Sequence, residues 1–470
     1  METETLKNRI QSAVRWLTET ATIRENIPCG EKGESFGYAE WRGALRGEYD
    51  AARKTWDVFC PYWHTGQGIK ALVMAADVLD DQTLLEHAEY NAGFLLNNQL
   101  KSGDDKGLFP AFEDRFDLVN TSAVLETLDG LFMLSDAAGK PVYREAALAA
   151  ADWVARKAWQ PDLGKFFDYY QIVTSSFIFG LPGAQNRPLL DDAVFVTAWN
   201  LTGEKRYLDI AVATAETLIR EENPAGNWIN IIPCNPAEGT IHPRHAYWWG
   251  RPMLALYKET GDRRYLELFR RSVRWYDRAL RLDGGFFRDT SADFNTRSFG
   301  HASSGSACAA LCFLDRAELE NHAYWLARAE KALEFCCAMQ FTHASDPNLQ
   351  GAVLEKVLMP DGSDSSPYYL RDVGTIFFIQ AAAAYLKHAA VINMNDPHSK
   401  GLIHQDGRSA GEGCGREHHR HIGGNRCAGE PRHQGFPGGN GSPEKFLAVR
   451  KNQGAGQTQS GRDIDRGRCQ

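Results

Sequence analysis

The sequence lacks the features of several protein classes. It contains no apolar run near the roughly 18 residues that a membrane span needs, and its net charge of −8 leaves no basic surplus for holding nucleic acid. Its first residues, METETLKNRIQSAVRWLTE, are acidic and amphipathic, unlike the basic and then apolar start of a secretory signal. We therefore expect a cytoplasmic protein that binds neither membranes nor nucleic acid. The sequence leaves its oligomeric state open.

A cysteine framework and a metal motif are also missing. The ten cysteines show no regular spacing, since Cys308 and Cys312 lie in an apolar helical segment and Cys336 directly precedes Cys337. We expect buried free thiols. The segment CGREHHRH has no second ligand pair at the spacing of a zinc finger, so we predict neither a metal site nor a cofactor.

The composition changes near residue 395. Before it the chain has the mixture of apolar and charged residues of an ordinary folded protein, whereas the remainder is rich in glycine and has almost no periodic apolar residues. We predict one catalytic domain over residues 1–394 and a disordered, glycine-rich tail over residues 395–470.

The first part of the chain repeats itself. Turn-and-helix segments recur roughly every 58 to 64 residues, which is the length of two helices with their loops. A more apolar helix precedes each turn and a charged, amphipathic helix follows it, as expected for an inner and an outer helix. The residues that mark the repeat are Leu84, Tyr143, Tyr207, Tyr265 and Tyr324. With a sixth inner helix after Asp372 and the N-terminal helix as its mate, the sequence predicts an all-α fold, an (α/α)6 toroid of six hairpins.

A second repeat indicates where the functional end lies. Short glycine-led pieces such as GKFFDYYQ and GGFFRDTS follow the outer helices and lead back to the next inner helix. All of them must lie at one end of the ring, where aromatic and charged side chains gather, and such a mouth suits an oligosaccharide. The candidate substrate-binding residues are His64, Tyr169, His245, Trp248, Trp249, Arg251, His301, Ser303, Arg371 and Asp372.

Three segments resemble successive hairpins of a known family. LLDDAVFVTAWNLTGEKRYLDIAVATAETL, AYWWGRPMLALYKETGDRRYL and HASSGSACAALCFLDRAEL are similar in order and spacing to the unsaturated glucuronyl hydrolases and unsaturated rhamnogalacturonyl hydrolases, which are six-hairpin glycosidases. This chain has Trp-Trp-Gly-Arg where those families have Trp-Ala-Arg-Gly, and His-Ala-Ser-Ser where they have an Asp before Ser-Ser. The segment TLDGLFM around Asp129 also resembles LDGLYM of the rhamnogalacturonyl branch.

The resemblance implies a glycoside hydrolase for oligosaccharides that contain uronic acids, terminal unsaturated uronyl residues among them. In those families a carboxyl group protonates the enol-ether double bond, and water adds to the resulting cation. The matching positions are Asp191 and Asp192. Because neighbours on a helix point about 100° apart, we expect Asp192 to face the cavity as the catalytic acid and Asp191 to cap the helix. Asp129 is either a structural carboxylate or a second catalytic acid.

Two other functions fit the same pattern. A sugar epimerase or a polysaccharide lyase could use His245 and His301 to move a proton, and a toroid of this kind could bind sugar without catalysis. Arg251 and Arg371 either hold a substrate carboxylate or pair with Glu259 and Asp372.

The adjacent tryptophans face different ways on a helix. We expect one of Trp248 and Trp249 to stack on a pyranose ring and the other to pack between helices.

Overall fold

The computed structural model describes residues 1–26, 38, 40–113, 115, 117–179, 186–288, 290–294, 302–355 and 367–395. The glycine-rich tail after residue 395 and the candidate His301 lie outside the described residues. The α-helices in the described part of the chain are α1 (Thr3–Arg15), α2 (Pro61–Leu79), α3 (Thr83–Asn98), α4 (Thr121–Ala138), α5 (Pro141–Trp153), α6 (Val194–Thr202), α7 (Lys205–Glu221), α8 (Pro252–Thr260), α9 (Arg263–Ala279), α10 (Ser303–Glu320), α11 (Ala323–Ala338) and α12 (Val373–Asn395).

The even-numbered helices form an inner ring and the odd-numbered helices an outer one. Almost every residue of α2 and α4 is buried up to their last turn, whereas α9 buries one face and leaves its arginines near solvent. The last inner helix, α12, packs against α2 and closes the ring, and α1 packs against α12 as its outer mate. The expected (α/α)6 toroid of six hairpins is therefore confirmed.

Ten short strands of the described residues lie in the links that lead from an outer helix to the next inner helix. They are β1 (Gly47–Asp50), β2 (Thr55–Val58), β3 (Leu118–Asn120), β4 (Trp159–Gln160), β5 (Lys165–Phe166), β6 (Tyr169–Gln171), β7 (Ser176–Phe177), β8 (Thr240–Ile241), β9 (Thr290–Ser291) and β10 (Tyr369–Arg371). They pair antiparallel in the orders β10-β1-β2, β3-β6-β7, β4-β5 and β8-β9. Since all precede inner helices, they mark the end of the ring where those helices begin, which we call the strand end.

The connections at the opposite end are tight. Five inner helices stop at a residue in the left-handed conformation, a common way to end a helix. These residues are Asp80, Gly139, Gly203, Gly261 and Asn321. Since each turn leads directly into the outer helix of the same hairpin, the inner helices end near one level.

Two inner helices start irregularly. A 3₁₀ turn, Asp191–Ala193, precedes α6, and a π-helical turn, Ala246–Gly250, precedes α8. Within the first turn Asp192 and Ala193 have φ angles of 48° and 54°, so the chain reverses before α6 begins. Side chains of residues that adjoin in sequence therefore leave this turn in directions that a regular helix does not allow.

Helices α2 and α4 touch through their main chains. A Cβ atom at Gly130 would lie 2.1 Å from the Gly66 carbonyl oxygen, and one at Gly66 would lie 2.5 Å from the Thr127 Cα. Only glycine permits this approach. It places the polar side chains one turn after Gly66 beside those of α4.

One expectation about the cysteines is wrong. Cys60 is disulfide-bonded, whereas the other cysteines of the described ranges are free thiols, namely Cys234, Cys308, Cys312, Cys336 and Cys337. The sequence argument looked for regular cysteine spacing, which does not reveal a single disulfide bond. Separately, none of the described helices is both long enough and apolar enough to cross a membrane.

Candidate active site

Two buried carboxyl groups at the strand end lie close enough for their charges to repel each other. Glu126 of α4 is 2% exposed and Asp191, in the turn before α6, is 3% exposed. Glu126 accepts a hydrogen bond from the Ser122 hydroxyl at 3.2 Å, and Asp191 Oδ2 has no hydrogen-bond partner among the described residues. We call Glu126 and Asp191 the carboxyl pair.

The carboxyl pair retains protons more strongly than ordinary carboxyl groups. Burial, and then repulsion from Glu126, raises the pKa of Asp191 well above its usual value. Burial also raises the pKa of Glu126 to about 7, against the attraction of Arg244. The pair can therefore donate a proton near neutral pH, as a general acid must.

Arg244 lies beside the pair, surrounded by aromatic rings. Its guanidinium carbon is 4.8 Å from the ring centre of Trp248, 5.4 Å from that of Trp63 and 5.9 Å from that of Phe377. Such cation–π contacts hold the side chain without neutralising it. No carboxylate in the described part of the chain forms an ion pair with Arg244, and its Nη1 lacks a hydrogen-bond partner there. An arginine in this state can receive a carboxylate from a ligand.

The neighbouring arginine is already neutralised. Arg187 Nε lies 3.0 Å from Asp168 Oδ2, and both side chains are buried. Asp168 also accepts a hydrogen bond from Asn120 at 3.0 Å. Arg187 is thus bound within the protein. Arg244 is therefore the better candidate for contact with a ligand.

A second group of charges lies deeper in the ring. Lys70 Nζ is 2.7 Å from Asp129 Oδ2 and 2.7 Å from Asp192 Oδ1, and we call these residues the lysine triad. Asp192 also accepts hydrogen bonds from Gln67 Nε2 at 2.8 Å and from the Tyr247 hydroxyl at 3.2 Å. The sequence singled out both aspartates of the triad but not the lysine that joins them.

The triad has the opposite electrostatic balance to the carboxyl pair. Burial alone raises the pKa of Asp192, but the attraction and hydrogen bond of Lys70 outweigh it and the pKa falls below its usual value. Burial disfavours the charged lysine, yet the two aspartates raise the pKa of Lys70 well above normal. Asp129 differs, because burial raises its pKa despite Lys70. Asp192 is therefore held as a carboxylate.

The turn before α6 separates the two aspartates. Helix α6 begins at Val194 with Ala193 as its N-cap, and neither aspartate caps it. The expected angle of about 100° between Asp191 and Asp192 assumed one continuous helix. Instead Asp192 and Ala193 are left-handed, and the chain reverses at these two residues before α6 begins. As a result the charge of Glu126 acts on Asp191, whereas Asp192 binds Lys70.

A cavity of about 240 Å³ opens from the lysine triad toward the ends of α8 and α10. Arg251, in its wall, pairs with Asp315 through two contacts, of 2.6 Å from Nε and 3.3 Å from Nη2. Glu259, the partner expected from the sequence, instead accepts a hydrogen bond from Trp199 at 2.8 Å. The lining residues are Lys70, Asp129, Asp192, Ala193, Tyr247, Arg251, Pro252, Leu254, Ala255, Lys258 and Asp315, and we call this space the charged cavity.

The remaining charged candidates are paired with protein groups. His64 Nδ1 lies 2.5 Å from Asp372 Oδ1, and both side chains are buried. Arg371 pairs with Glu48 rather than with Asp372, and the Tyr369 hydroxyl donates to Glu48 at 2.6 Å. These contacts join β1, β10 and α2 at the strand end. His64, Arg371 and Asp372 therefore stabilise the structure around the site.

His245 is held as a neutral, fully bonded side chain. Its Nδ1 is 3.3 Å from the Cys234 sulfur and its Nε2 is 3.2 Å from the Ile232 carbonyl oxygen. Burial, and then repulsion from Arg187, lowers the pKa of His245 to about 3. A histidine that exchanges a proton with substrate near pH 7 needs a free nitrogen and a pKa closer to 7.

The tryptophans differ in their surroundings. Trp249 has no exposed surface and packs edge-on against Trp228 at 5.5 Å, as a core residue does. Trp248 stacks on His242 at 5.1 Å with an interplanar angle of 14°, and Arg244 lies over its ring. Of the two, Trp248 is the one beside the candidate site.

The last two candidates are buried in structural contacts. The Ser303 hydroxyl donates to the Leu354 carbonyl oxygen at 2.6 Å. The Tyr169 ring stacks on Phe112 with 6.2 Å between the ring centres. The first contact joins α10 to the link before α12, and the second joins two links of the strand end.

The sequence argument missed Glu126, Arg244 and Lys70. Glu126 and Lys70 each stand in an apolar inner helix, which is the same signal that drew attention to Asp129. Arg244 precedes the π-helical turn in the segment HPRHAYWWGR, where the tryptophans and histidines attracted notice instead. Across the described ranges, no group of three His, Cys, Asp or Glu side chains is arranged to hold a metal ion.

The chain matches known proteins in structure but not in sequence. No family model matches the chain, and no curated protein matches it in sequence. Among solved structures, an unsaturated glucuronyl hydrolase specific for heparin superposes with a TM-score of 0.59 at 15% identity, covering 83% of this chain and 99% of that one.

Enzymes of another type share the same architecture. The cellobiose 2-epimerase from Bacillus thermoamylovorans B4167 gives a TM-score of 0.60 at 9% identity, covering 82% of this chain and 99% of its own. A D-mannose isomerase gives 0.59 at 12% identity, covering 82% and 97%. The coverage is nearly complete for each of these enzymes, although the identities are low. The chain therefore has the six-hairpin (α/α)6 toroid fold that unsaturated glucuronyl hydrolases share with sugar epimerases and isomerases.

Proposed function

We propose that this protein is a glycoside hydrolase for oligosaccharides that end in an unsaturated uronyl residue, with Asp191 of the carboxyl pair as its acid and base. The observation that carries the proposal is the pair itself: two buried carboxyl groups with raised pKa values at the strand end. The likeness to the heparin-specific unsaturated glucuronyl hydrolase supports the same reaction class.

In the proposed reaction Asp191 donates its proton to the enol-ether double bond of the terminal sugar. The positive charge that forms is shared with the ring oxygen, and a water molecule adds to it. The Asp191 carboxylate then takes a proton from that water, so the acid is regenerated. The hemiketal that results opens the sugar ring by breaking its bond to the ring oxygen, which takes up the hydroxyl proton and leaves a hemiacetal at the anomeric carbon. This hemiacetal becomes an aldehyde as the glycosidic bond breaks, and its hydroxyl proton leaves with the released sugar. The role of Glu126 is to keep Asp191 protonated by repulsion before the reaction begins.

Arg244 supplies the contact for the substrate carboxylate. A uronyl residue carries one negative charge, and Arg244 offers a guanidinium that no protein carboxylate in the described residues neutralises. Trp248 and Trp63 flank this guanidinium and hold it in place.

Asp191 is a better candidate for the acid than Asp192, which the sequence argument preferred. Asp192 is bonded to Lys70 and Gln67, which hold it as a carboxylate. A carboxylate with a lowered pKa has no proton to donate near pH 7. The choice of Asp192 stays a prediction, and substitution of each aspartate decides between them.

Epimerase or lyase chemistry through His245 finds less support. Both nitrogens of His245 are engaged by Cys234 and Ile232, and its pKa is lowered to about 3. His301, the second histidine of that alternative, lies outside the described residues.

Incubation with an unsaturated uronyl disaccharide tests the proposal. We expect the absorbance of the double bond to disappear while a monosaccharide is released, and a disaccharide with a saturated uronyl residue to remain intact. The proposal is wrong if any of three other outcomes is seen. A constant absorbance with isomerised sugar would indicate an epimerase, and a gain of absorbance from saturated polymer would indicate a lyase. Binding of the sugar without reaction would indicate a protein that binds sugar without catalysis.

A further inference from the structure

We infer that the charged cavity is a second binding site, which takes a small hydroxy acid of the size of one sugar acid. It is distinct from the carboxyl pair, because neither Glu126, Asp191 nor Arg244 lines it. The inference rests on the cavity's own shape and charges and does not depend on the proposed hydrolase activity.

The position of the cavity separates it from the strand end. Lys258 stands two residues before the end of α8, and Asp315 lies in the later half of α10. Lys70, Asp129 and Arg251 each precede by ten positions the left-handed residue that ends their helix, so they lie at one level. The cavity thus runs from mid-ring toward the end with tight connections.

The charges of the wall are unevenly distributed along this direction. The lysine triad holds two carboxylates and one ammonium group. Arg251 and Asp315 neutralise each other. Lys258 is exposed and has no ion-pair partner among the residues that the structure describes. The inner wall therefore carries a negative excess, and the mouth carries a positive charge.

Three polar atoms of the wall remain available to a ligand. Within the described ranges, Asp129 Oδ1, Arg251 Nη1 and Lys258 Nζ form no hydrogen bond with protein. Asp129 can accept a bond from a ligand hydroxyl, and the two cations can donate to a ligand carboxylate. The apolar residues Pro252 and Leu254 offer a surface for ring carbons.

The size of the cavity limits the ligand. A volume of about 240 Å³ corresponds to roughly eight water molecules at about 30 Å³ each. That space suits a single sugar unit. A monosaccharide acid combines the required features, since its hydroxyls suit the inner carboxylate and its own carboxylate suits the mouth.

Calorimetric titration with D-glucuronate tests this site, with D-glucose and acetate as comparison ligands. We expect glucuronate to bind more tightly than either, because glucose lacks the carboxylate and acetate lacks the hydroxyls. Lys258→Gln should weaken glucuronate binding at least tenfold, and Ala255→Phe, which fills the cavity, should abolish it. Lys387→Gln is the matched control, since Lys387 is an exposed lysine of another inner helix, and it should bind as the wild type does.

If glucuronate bound at the strand end instead of the charged cavity, different variants would lose binding. Arg244→Gln should leave glucuronate binding intact if the site is the charged cavity. The inference is overturned if glucuronate does not bind, if Lys258→Gln binds as tightly as Lys387→Gln, or if Arg244→Gln alone removes binding. Thermal melts identify any variant that fails to fold, and Lys258→Gln changes an exposed side chain, so the test does not depend on Ala255→Phe.

Discussion

Asp191 of the carboxyl pair and Asp192 of the lysine triad are neighbours in sequence, and yet their pKa values shift in opposite directions. Each group contains two carboxyl side chains. The difference is one cation in direct contact: Lys70 bonds to both aspartates of the triad, whereas Arg244 acts on the pair from beside it. Without a bonded cation Asp191 keeps its proton and can act as an acid, whereas the bonded Lys70 holds Asp192 as a carboxylate.

Substitution of the two adjacent aspartates gives the largest expected contrast. Asp191→Asn should lower kcat by on the order of 10³-fold with little change in KM, since general acids typically contribute 10²–10⁴-fold. Asp192→Asn should retain more activity but melt at a lower temperature, because Lys70 loses a bonded partner. Steady-state kinetics and thermal melts on both variants check this. A folded, inactive Asp192→Asn beside an active Asp191→Asn would restore Asp192 as the acid.

Removal of the cation from the triad should mainly affect stability. Lys70→Met leaves the Asp129 and Asp192 side chains beside each other without a cation, and loss of one member of a buried ion pair costs about 3–5 kcal/mol. Lys387→Met removes an exposed lysine whose side chain pairs with Asp77 at 2.8 Å, and should cost at most about 1 kcal/mol. Urea unfolding measures both; equal losses would show that the triad is no more important than a surface pair.

The carboxyl pair should make the stability of the protein depend on pH below neutrality. Because the pKa of Glu126 is raised from 4.5 to about 7, the folded protein binds a proton that the unfolded chain releases, so stability falls as pH rises from about 4.5 to about 7. Glu126→Gln should remove this loss, and its advantage over the wild type should grow across that window to about 3 kcal/mol. Unfolding curves at several pH values measure it. A constant difference between the two proteins would contradict the assignment.

The smallest expected effect concerns the tryptophan beside the pair. Trp248→Ala should weaken saccharide binding by about 1–3 kcal/mol, as the loss of an aromatic contact does at binding sites. Trp249→Ala is the control, since it opens a cavity in the core and should cost about 3–5 kcal/mol of stability instead. Affinity and melting temperature of the two variants separate the roles. Normal sugar binding by Trp248→Ala would exclude it from the site.

The fold was predictable because it repeats. The turn-and-helix period placed six hairpins, and the glycine-led links placed the strands at one end. The turn before α6 was not predictable, since nothing in Asp-Asp-Ala requires the positive φ angles of Asp192 and Ala193.

The site was less predictable than the fold, because its partners come from different hairpins. Asp192 meets Lys70 from 122 positions earlier in the chain, and no local spacing encodes that contact. The same reason hid the pairing of Arg251 with Asp315, 64 positions later. A pattern identifies a charged residue in an apolar helix, but the neighbouring helices determine whether it becomes an acid or an ion pair.

The main-chain contact of α2 and α4 limits how proteins of this fold can diverge in sequence. Gly66 and Gly130 leave no room for a side chain, so the separation between the two helices cannot be adjusted by small substitutions. Gln67, which bonds to both the Glu126 carbonyl oxygen and Asp192, is held in register by that contact. Evolutionary change in specificity is therefore expected in the links of the strand end, which can lengthen or change sequence while the two helices keep their spacing.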